Sequence, residues 1–243
     1  PAQYTFFLHA PPGARASLHG AEATIRAKAA VASLTAAWEA AVWRLERTPV
    51  PVVDYVDLDR KAVLPREALR LDSSSSEKTD FMVAMRFQNG SEIPSPLTPF
   101  QTSSGEGFKS LDGSAAVVFR SGSGPLVIQG THVGSLTSDG DTLAFRQRGG
   151  VTDLFAERVR ALSTSQNRLF VADPSPVDVI MRQTPKGEKA QINCRVETDL
   201  SIYVREQPTA VILDGTMVPL RVHQGFISIP HVRQGEHIVE IEY

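Results

Sequence analysis

Six histidines, four tyrosines, two tryptophans and a single cysteine hold most of the chemistry available to this 243-residue chain. The histidines are His9, His19, His132, His223, His231 and His237. None pairs with another at the four-residue spacing of a helical ligand pair, and no Cys-x-x-Cys accompanies them, so no metal site is expected. His231 and His237 fall on neighbouring predicted strands, which would let them approach, but the favoured reading of both is as surface or half-buried histidines beside turns. Asp54, Asp57 and Asp59 resemble the start of a calcium loop, but the loop glycine and the terminal bidentate glutamate are missing. No Gly-x-Ser-x-Gly elbow is present. Gly105-Glu-Gly107 and Gly122-Ser-Gly124 lack the Lys-Ser/Thr of a phosphate loop and read as turns. Cys194 reads as a buried, inert thiol, with no disulfide partner in the chain.

Trp38 and Trp43 with Arg44 and Arg47 are the best candidates for a sugar platform. Aromatic faces stack on the apolar faces of sugars, and guanidinium forks grip carboxylates or sulfates. Trp38 belongs to an apolar stripe and is assigned to the core. Trp43, Arg44 and Arg47 remain as the candidate substrate-binding residues. Arg60, Lys61 and Arg66 add positive charge to the same region.

The elements that must carry these residues read mainly as strands. From Val177 to Tyr243 apolar and polar residues alternate in short runs divided by turn signals, of which Asp214-Gly215 is the strongest. Gln224-Gly225 and Gln234-Gly235 repeat the device. Ser114–Arg120 and Pro125–Gln129 read as a hairpin through Ser121-Gly-Ser-Gly124, and Ser138-Asp-Gly-Asp141 as a further turn. Residues 88–113, rich in Ser, Pro, Gly and Thr, read as a long exposed loop or linker. Residues 151–162 are expected to hold one or two helical turns. Residues 21–47 are divided in their signals. Val31, Leu34, Trp38, Val42 and Leu45 follow helical spacing, whereas Glu22–Arg26 alternates as a strand does.

A formal charge of −2 gives no global bias toward nucleic acid, and a hydrophobic content of 42% suffices for a core. No apolar run approaches the ~20 residues of a membrane span. The chain opens on Pro1-Ala-Gln-Tyr-Thr-Phe-Phe-Leu-His9 without a basic leader, as a strand already in progress. A piece of a longer protein is therefore expected.

Several phrases together resemble the β-sandwich part of heparinase II/III-type polysaccharide lyases. Tyr4-Thr-Phe-Phe-Leu-His-Ala-Pro11 is similar to that family's "Phe-Leu-Leu-His-Thr/Ser-Pro" strand. Leu18–Arg26 is similar to its "Gly-x-x-Val-Thr-Ile" strand, Asp80–Arg86 to "Asp-Phe-Leu-x-Val-Leu", and Leu213–Pro219 to a C-terminal "Leu-Asp-Gly-x-x-Val" hairpin. The resemblance implies that residues 21–47 are extended, and strands are expected there against the periodicity. In that family a preceding α/α toroid supplies the Tyr and Asn/His groups of β-elimination, and a His/Asp zinc cluster lies early in the sandwich. Neither is recognisable here, so no catalytic residue is assigned, and no cofactor or metal.

The expected fold is mainly β, an antiparallel β-sandwich with at most one substantial helix. It divides into residues 1–113, β-rich and ending in the long loop, and residues 114–243, which complete the sandwich. The expected role is that of a carbohydrate-associated accessory part of a polysaccharide lyase acting on uronate-containing polysaccharide, periplasmic or secreted. Its partners would be an acidic polysaccharide or an upstream or companion helical domain, with no nucleic acid and no membrane span. The alternative is a non-catalytic structural or protein-partner-binding sandwich.

Overall fold

The computed structural model describes residues 5–11, 13–19, 22–36, 42–53, 61–72, 82–90, 97–131 and 133–243. Side chains are described for all of these except positions 6, 7, 9, 42, 43, 46–53 and 61–66. The described chain is all β, without a helix, and forms large antiparallel sheets packed against each other. It divides into two compact units, Pro1–Pro99 and Phe100–Tyr243.

The first unit contains β1 (Thr5–His9), β2 (Arg15–His19), β3 (Glu22–Arg26), β4 (Ala30–Ala36), β5 (Val42–Val53), β6 (Lys61–Asp72) and β7 (Val83–Asn89). They form one sheet in the order β1-β6-β5 and another in the order β2-β3-β4-β7. Ala16, Ala23, Ala32, Leu34, Leu69 and Leu71, drawn from both sheets, share a small core. Every residue from Val31 to Ala36 is buried, so β4 shows no polar alternation. Ala-rich composition here serves close approach of strands, and tertiary burial overrides its helical propensity. The extended reading of residues 21–47 thus holds over β3, β4 and the start of β5; residues 37–41, with Trp38, lie outside the described residues. Pro49 and Pro51 continue β5, opposite Pro65 and Val63. An outer strand tolerates them because one row of its N–H groups has no ladder to join.

The second unit contains β9 (Gly105–Ser110), β10 (Ala115–Arg120), β11 (Leu126–Gly130), β12 (Gly134–Ser138), β13 (Thr142–Arg148), β14 (Val151–Val159), β15 (Ala161–Thr164) and β16 (Arg168–Asp173). It continues with β17 (Val177–Thr184), β18 (Gly187–Cys194), β19 (Thr198–Tyr203), β20 (Ala210–Leu213), β21 (Thr216–Met217), β22 (Val222–His223), β23 (Phe226–Val232) and β24 (Gly235–Glu242). With β8 (Leu97–Gln101) at one margin, a ten-stranded sheet runs β21-β20-β24-β18-β17-β14-β13-β10-β9-β8. A seven-stranded sheet runs β11-β12-β15-β16-β19-β23-β22. One continuous core joins them, with Val118, Leu154 and Ile192 from the larger sheet and Ile128, Phe170 and Ile202 from the smaller. β18 shows the pattern that builds it: Glu188, Ala190, Ile192 and Cys194 are buried and the residues between them are exposed or half-buried.

The chain changes sheet after almost every pair of strands, which corrects several expectations. Ser121–Gly124 is not a hairpin turn, because β10 and β11 belong to different sheets. Four extended residues reach ~13 Å, enough for the ~10 Å between packed sheets, so a short Gly/Ser turn serves a crossing as well as a hairpin. Gln234-Gly235 is likewise a crossing, from β23 to β24. Residues 151–162 are β14 and β15, not helical turns. The ladder of β14 slips between Ala156 and Val159, where Arg158 takes φ 51°. That bulge sets buried Ala156 and Val159 three apart and imitates helical spacing. The loop expected over residues 88–113 contains β7's last residues, β8 and β9, the last paired with β10 from Gly105 to Lys109. A Cβ at Gly107 would stand 1.9 Å from the Val117 carbonyl oxygen, so glycine here permits a close ladder where composition suggested a loop. Residues 91–96 lie outside the described residues.

Candidate functional site

Trp43, Arg44 and Arg47 all lie on β5, opposite Leu71, Arg70 and Glu67 of β6. Strand alternation assigns positions 43 and 47 to one face and position 44 to the other. The side chains of Trp43 and Arg47 are outside the described residues. Arg44 is exposed, with Nε 3.9 Å from Asp72 Oδ2. Asp72 also accepts hydrogen bonds from Thr5 Oγ1 and Arg70 Nε, each at 2.7 Å. The Thr5 bond first, then Arg70, hold its carboxyl below the ordinary range. Two guanidinium groups therefore share the Asp72 carboxylate. Asp54, Asp57, Asp59 and Arg60 lie outside the described residues.

The second unit presents a surface that sequence reasoning missed. Across the outer face of the ten-stranded sheet, Val117, Ala144, Phe155, Ile180, Gln191 and Ile238 stand opposite one another in turn. The residues beside them along the strands, among them Leu154, Met181, Ala190 and Val239, fill the core, so this row faces outward. Ile180 and Ile238 are 48% and 41% exposed. Two residues along, ~7 Å away, runs a charged row of Arg146, Asp153, Arg182, Lys189 and Glu240. Asp153 accepts from Arg182 Nε at 2.7 Å and Arg146 Nη2 at 2.8 Å. The Arg182 bond, then that from Arg146, draws its carboxyl below the usual value. Lys189 Nζ meets Glu240 at 2.5 Å. Three cations face two carboxylates, and each guanidinium keeps unused donors. No local motif announces this row, because its members come from five strands and meet only through register.

Glu188 is buried on the inner face; its Oε1 accepts from the Tyr243 hydroxyl at 2.9 Å and its Oε2 from Gln183 Nε2 at 3.4 Å. Burial pushes the Glu188 carboxyl above its ordinary value, opposed by those two hydrogen bonds and by Arg205. The Arg205 guanidinium lies 4.3 Å from the centre of the Tyr243 ring. Burial, with the Glu188 charge beside it, also drives the Tyr243 phenol well above its usual range. Tyr243 is thus a held donor and a poor proton acceptor. Cys194 is buried in the core, and burial raises its thiol.

His231 and His237 do not meet as a pair: β23 and β24 lie in different sheets, and each ring has its own acid. His231 Nδ1 is 3.2 Å from Glu197 Oε1 on the exposed surface. His237 Nδ1 is 2.7 Å from Asp214 Oδ2. His19 and His223 are exposed, while His132 and the His9 side chain lie outside the described residues. Among the described residues no group of three His, Cys, Asp or Glu side chains is placed to hold a metal ion. No protein-family model matches the chain, and no curated protein matches it in sequence.

Proposed function

We propose that this protein is a carbohydrate-associated β-sandwich, an accessory part of a polysaccharide lyase of heparinase II/III type, which holds an acidic, uronate-containing chain. The observation that carries this reading is the outer face of the ten-stranded sheet. There an apolar row through Phe155, Ile180 and Ile238 runs beside the cations Arg146, Arg182 and Lys189. Apolar side chains give a floor for the C–H faces of sugars, and the cations give partners for carboxylates. Arg44 on β5, exposed beside Asp72, adds a further cation to the same reading. β-Elimination also needs a proton acceptor, and Tyr243 is committed as a donor to Glu188.

The test is retention by immobilised polygalacturonate at low ionic strength, alongside an ultraviolet assay for unsaturated product. Binding without cleavage is expected. It should fade as added salt shortens the Debye length toward ~8 Å, and it should weaken by about tenfold in the Arg146→Gln, Arg182→Gln, Lys189→Gln triple variant. Robust cleavage by this chain alone would defeat the accessory role. Absence of low-salt binding would favour a second reading, a sandwich that docks a protein partner. That reading draws on β7, where Met85 and Phe87 are 46% and 71% exposed.

A further inference from the structure

We propose that Asn89 is a self-modifying position, converted to aspartate and isoaspartate by attack of the Gly90 nitrogen and metered by the hydrogen bond that holds that nitrogen. The chain has three asparagines, Asn89, Asn167 and Asn193, and all are exposed. Exposure therefore does not single out Asn89, but its neighbour does. Arg168 and Cys194 follow the other two and place a side chain beside the attacking nitrogen, whereas Gly90 has none. Gly90 takes φ 98°, and a Cβ built there would meet nothing within 4 Å, so the approach is open. Among the described residues no hydrogen bond engages the Asn89 carboxamide.

The chemistry needs only water. The Gly90 nitrogen gives its proton to solvent and bonds to Asn89 Cγ; the carboxamide C–N bond breaks and ammonia leaves. Water then opens the cyclic imide at either carbonyl. Opening at Cγ gives aspartate, and opening at the main-chain carbonyl gives isoaspartate, with the backbone rerouted through the former side chain. The fold supplies a brake, because the Gly90 amide donates to the Ala29 carbonyl at 2.9 Å and must be released before it attacks. That bond lies just beyond the last ladder pair, Ala30 with Asn89, at the end of an outer strand. Strand ends open locally at little cost, so the pairs from Val31–Gln88 to Ala36–Val83 need not part. Each conversion sets a negative charge two residues, ~7 Å, along β7 from Phe87, which is 71% exposed. Isoaspartate also adds a main-chain carbon ahead of Gly90 and takes its amide out of register with Ala29.

The experiment holds the whole chain in mildly alkaline buffer, folded or in guanidinium chloride, and follows its peptides by mass spectrometry that separates aspartate from isoaspartate. In the folded chain Asn89 should convert while Asn167 and Asn193 stay intact. Its rate should lie about three- to tenfold below that of the unfolded chain, the effect of one backbone hydrogen bond. Hydrogen exchange of the Gly90 amide should be slowed by the same factor, since both reactions start from the opened bond. Asn89→Gln, whose longer side chain closes its ring far more slowly, should remain unconverted. No conversion of folded Asn89 while the unfolded sample is consumed, equal rates in the two samples, or a Gly90 protection unlike the retardation would each overturn the proposal.

Discussion

Glu188 and the salt-bridged aspartates Asp72 and Asp153 respond to acid in opposite senses. Burial raises the Glu188 carboxyl in the folded chain, so folding favours its protonated form. Between the ordinary glutamate value, ~4.3, and the raised one, the native state binds more protons than the unfolded chain, and stability falls as pH rises. Glu188→Gln should remove that decline, visible as a flatter plot of unfolding midpoint against pH. Asp72 and Asp153 behave conversely: hydrogen bonds from Thr5 and Arg70, and from Arg182 and Arg146, lower them. Their contribution is present above the ordinary aspartate value and is lost as pH falls through the lowered one. Tyr243→Phe leaves a buried Glu188 oxygen without its donor and should cost about 1–3 kcal/mol of stability in denaturant titration. A loss near zero would mean that water replaces the hydroxyl. None of this was legible in the chain, since Glu188 and Tyr243 stand 55 positions apart and meet only because β18 pairs with β24.

At the scale of elements, the turn at Asp214-Gly215 was fully readable. Both residues take positive φ, 50° and 79°, as a two-residue hairpin of the mirror-image kind requires. Leu213 pairs with Thr216 and Ile212 with Met217 around it. Gln224-Gly225 repeats the geometry, with φ of 49° and 80° between His223 and Phe226. The pattern failed where an element departs from strict alternation. The bulge in β14 lent residues 151–162 a helical rhythm, and the glycines of β9 lent residues 105–110 the look of a loop. Gly107→Ala should accordingly distort the β9–β10 ladder and lower the unfolding midpoint by several degrees, because the neighbour it meets is backbone and cannot swing aside. A variant as stable as the wild type would show that the two strands separate there at little cost.

For the whole molecule, all-β architecture was legible because turn signals and β-prone runs recur along the chain. The partition of strands between sheets was not, since a four-residue turn has the same composition whether it reverses or crosses. The candidate surface was hidden for a related reason. Trp43, Arg44 and Arg47 drew notice by being adjacent, whereas Arg146, Asp153, Arg182, Lys189 and Glu240 become neighbours only in register. The alternation of chain between layers predicts that the second unit unfolds as one body. Both sheets line a single core, so probes placed in each should report the same midpoint. Two separated transitions would show that the sheets hold together independently.

The position of β24 between β20 and β18 has a consequence for the order of events during synthesis. β18 leaves the ribosome 41 residues before the start of β24, counting Cys194 to Gly235, and throughout that interval one of its margins is a bare template of amide and carbonyl groups. The β20–β21 hairpin emerges in the meantime with nowhere in the sheet to attach. Whatever slows the arrival of β24 lengthens the time in which a neighbouring nascent chain can take its place. Its exposed or half-buried charges, Glu236, Glu240 and Glu242, repel a second copy of themselves while Glu240 still matches Lys189 of its proper partner. That guard arrives only with the strand whose pairing ends the exposure.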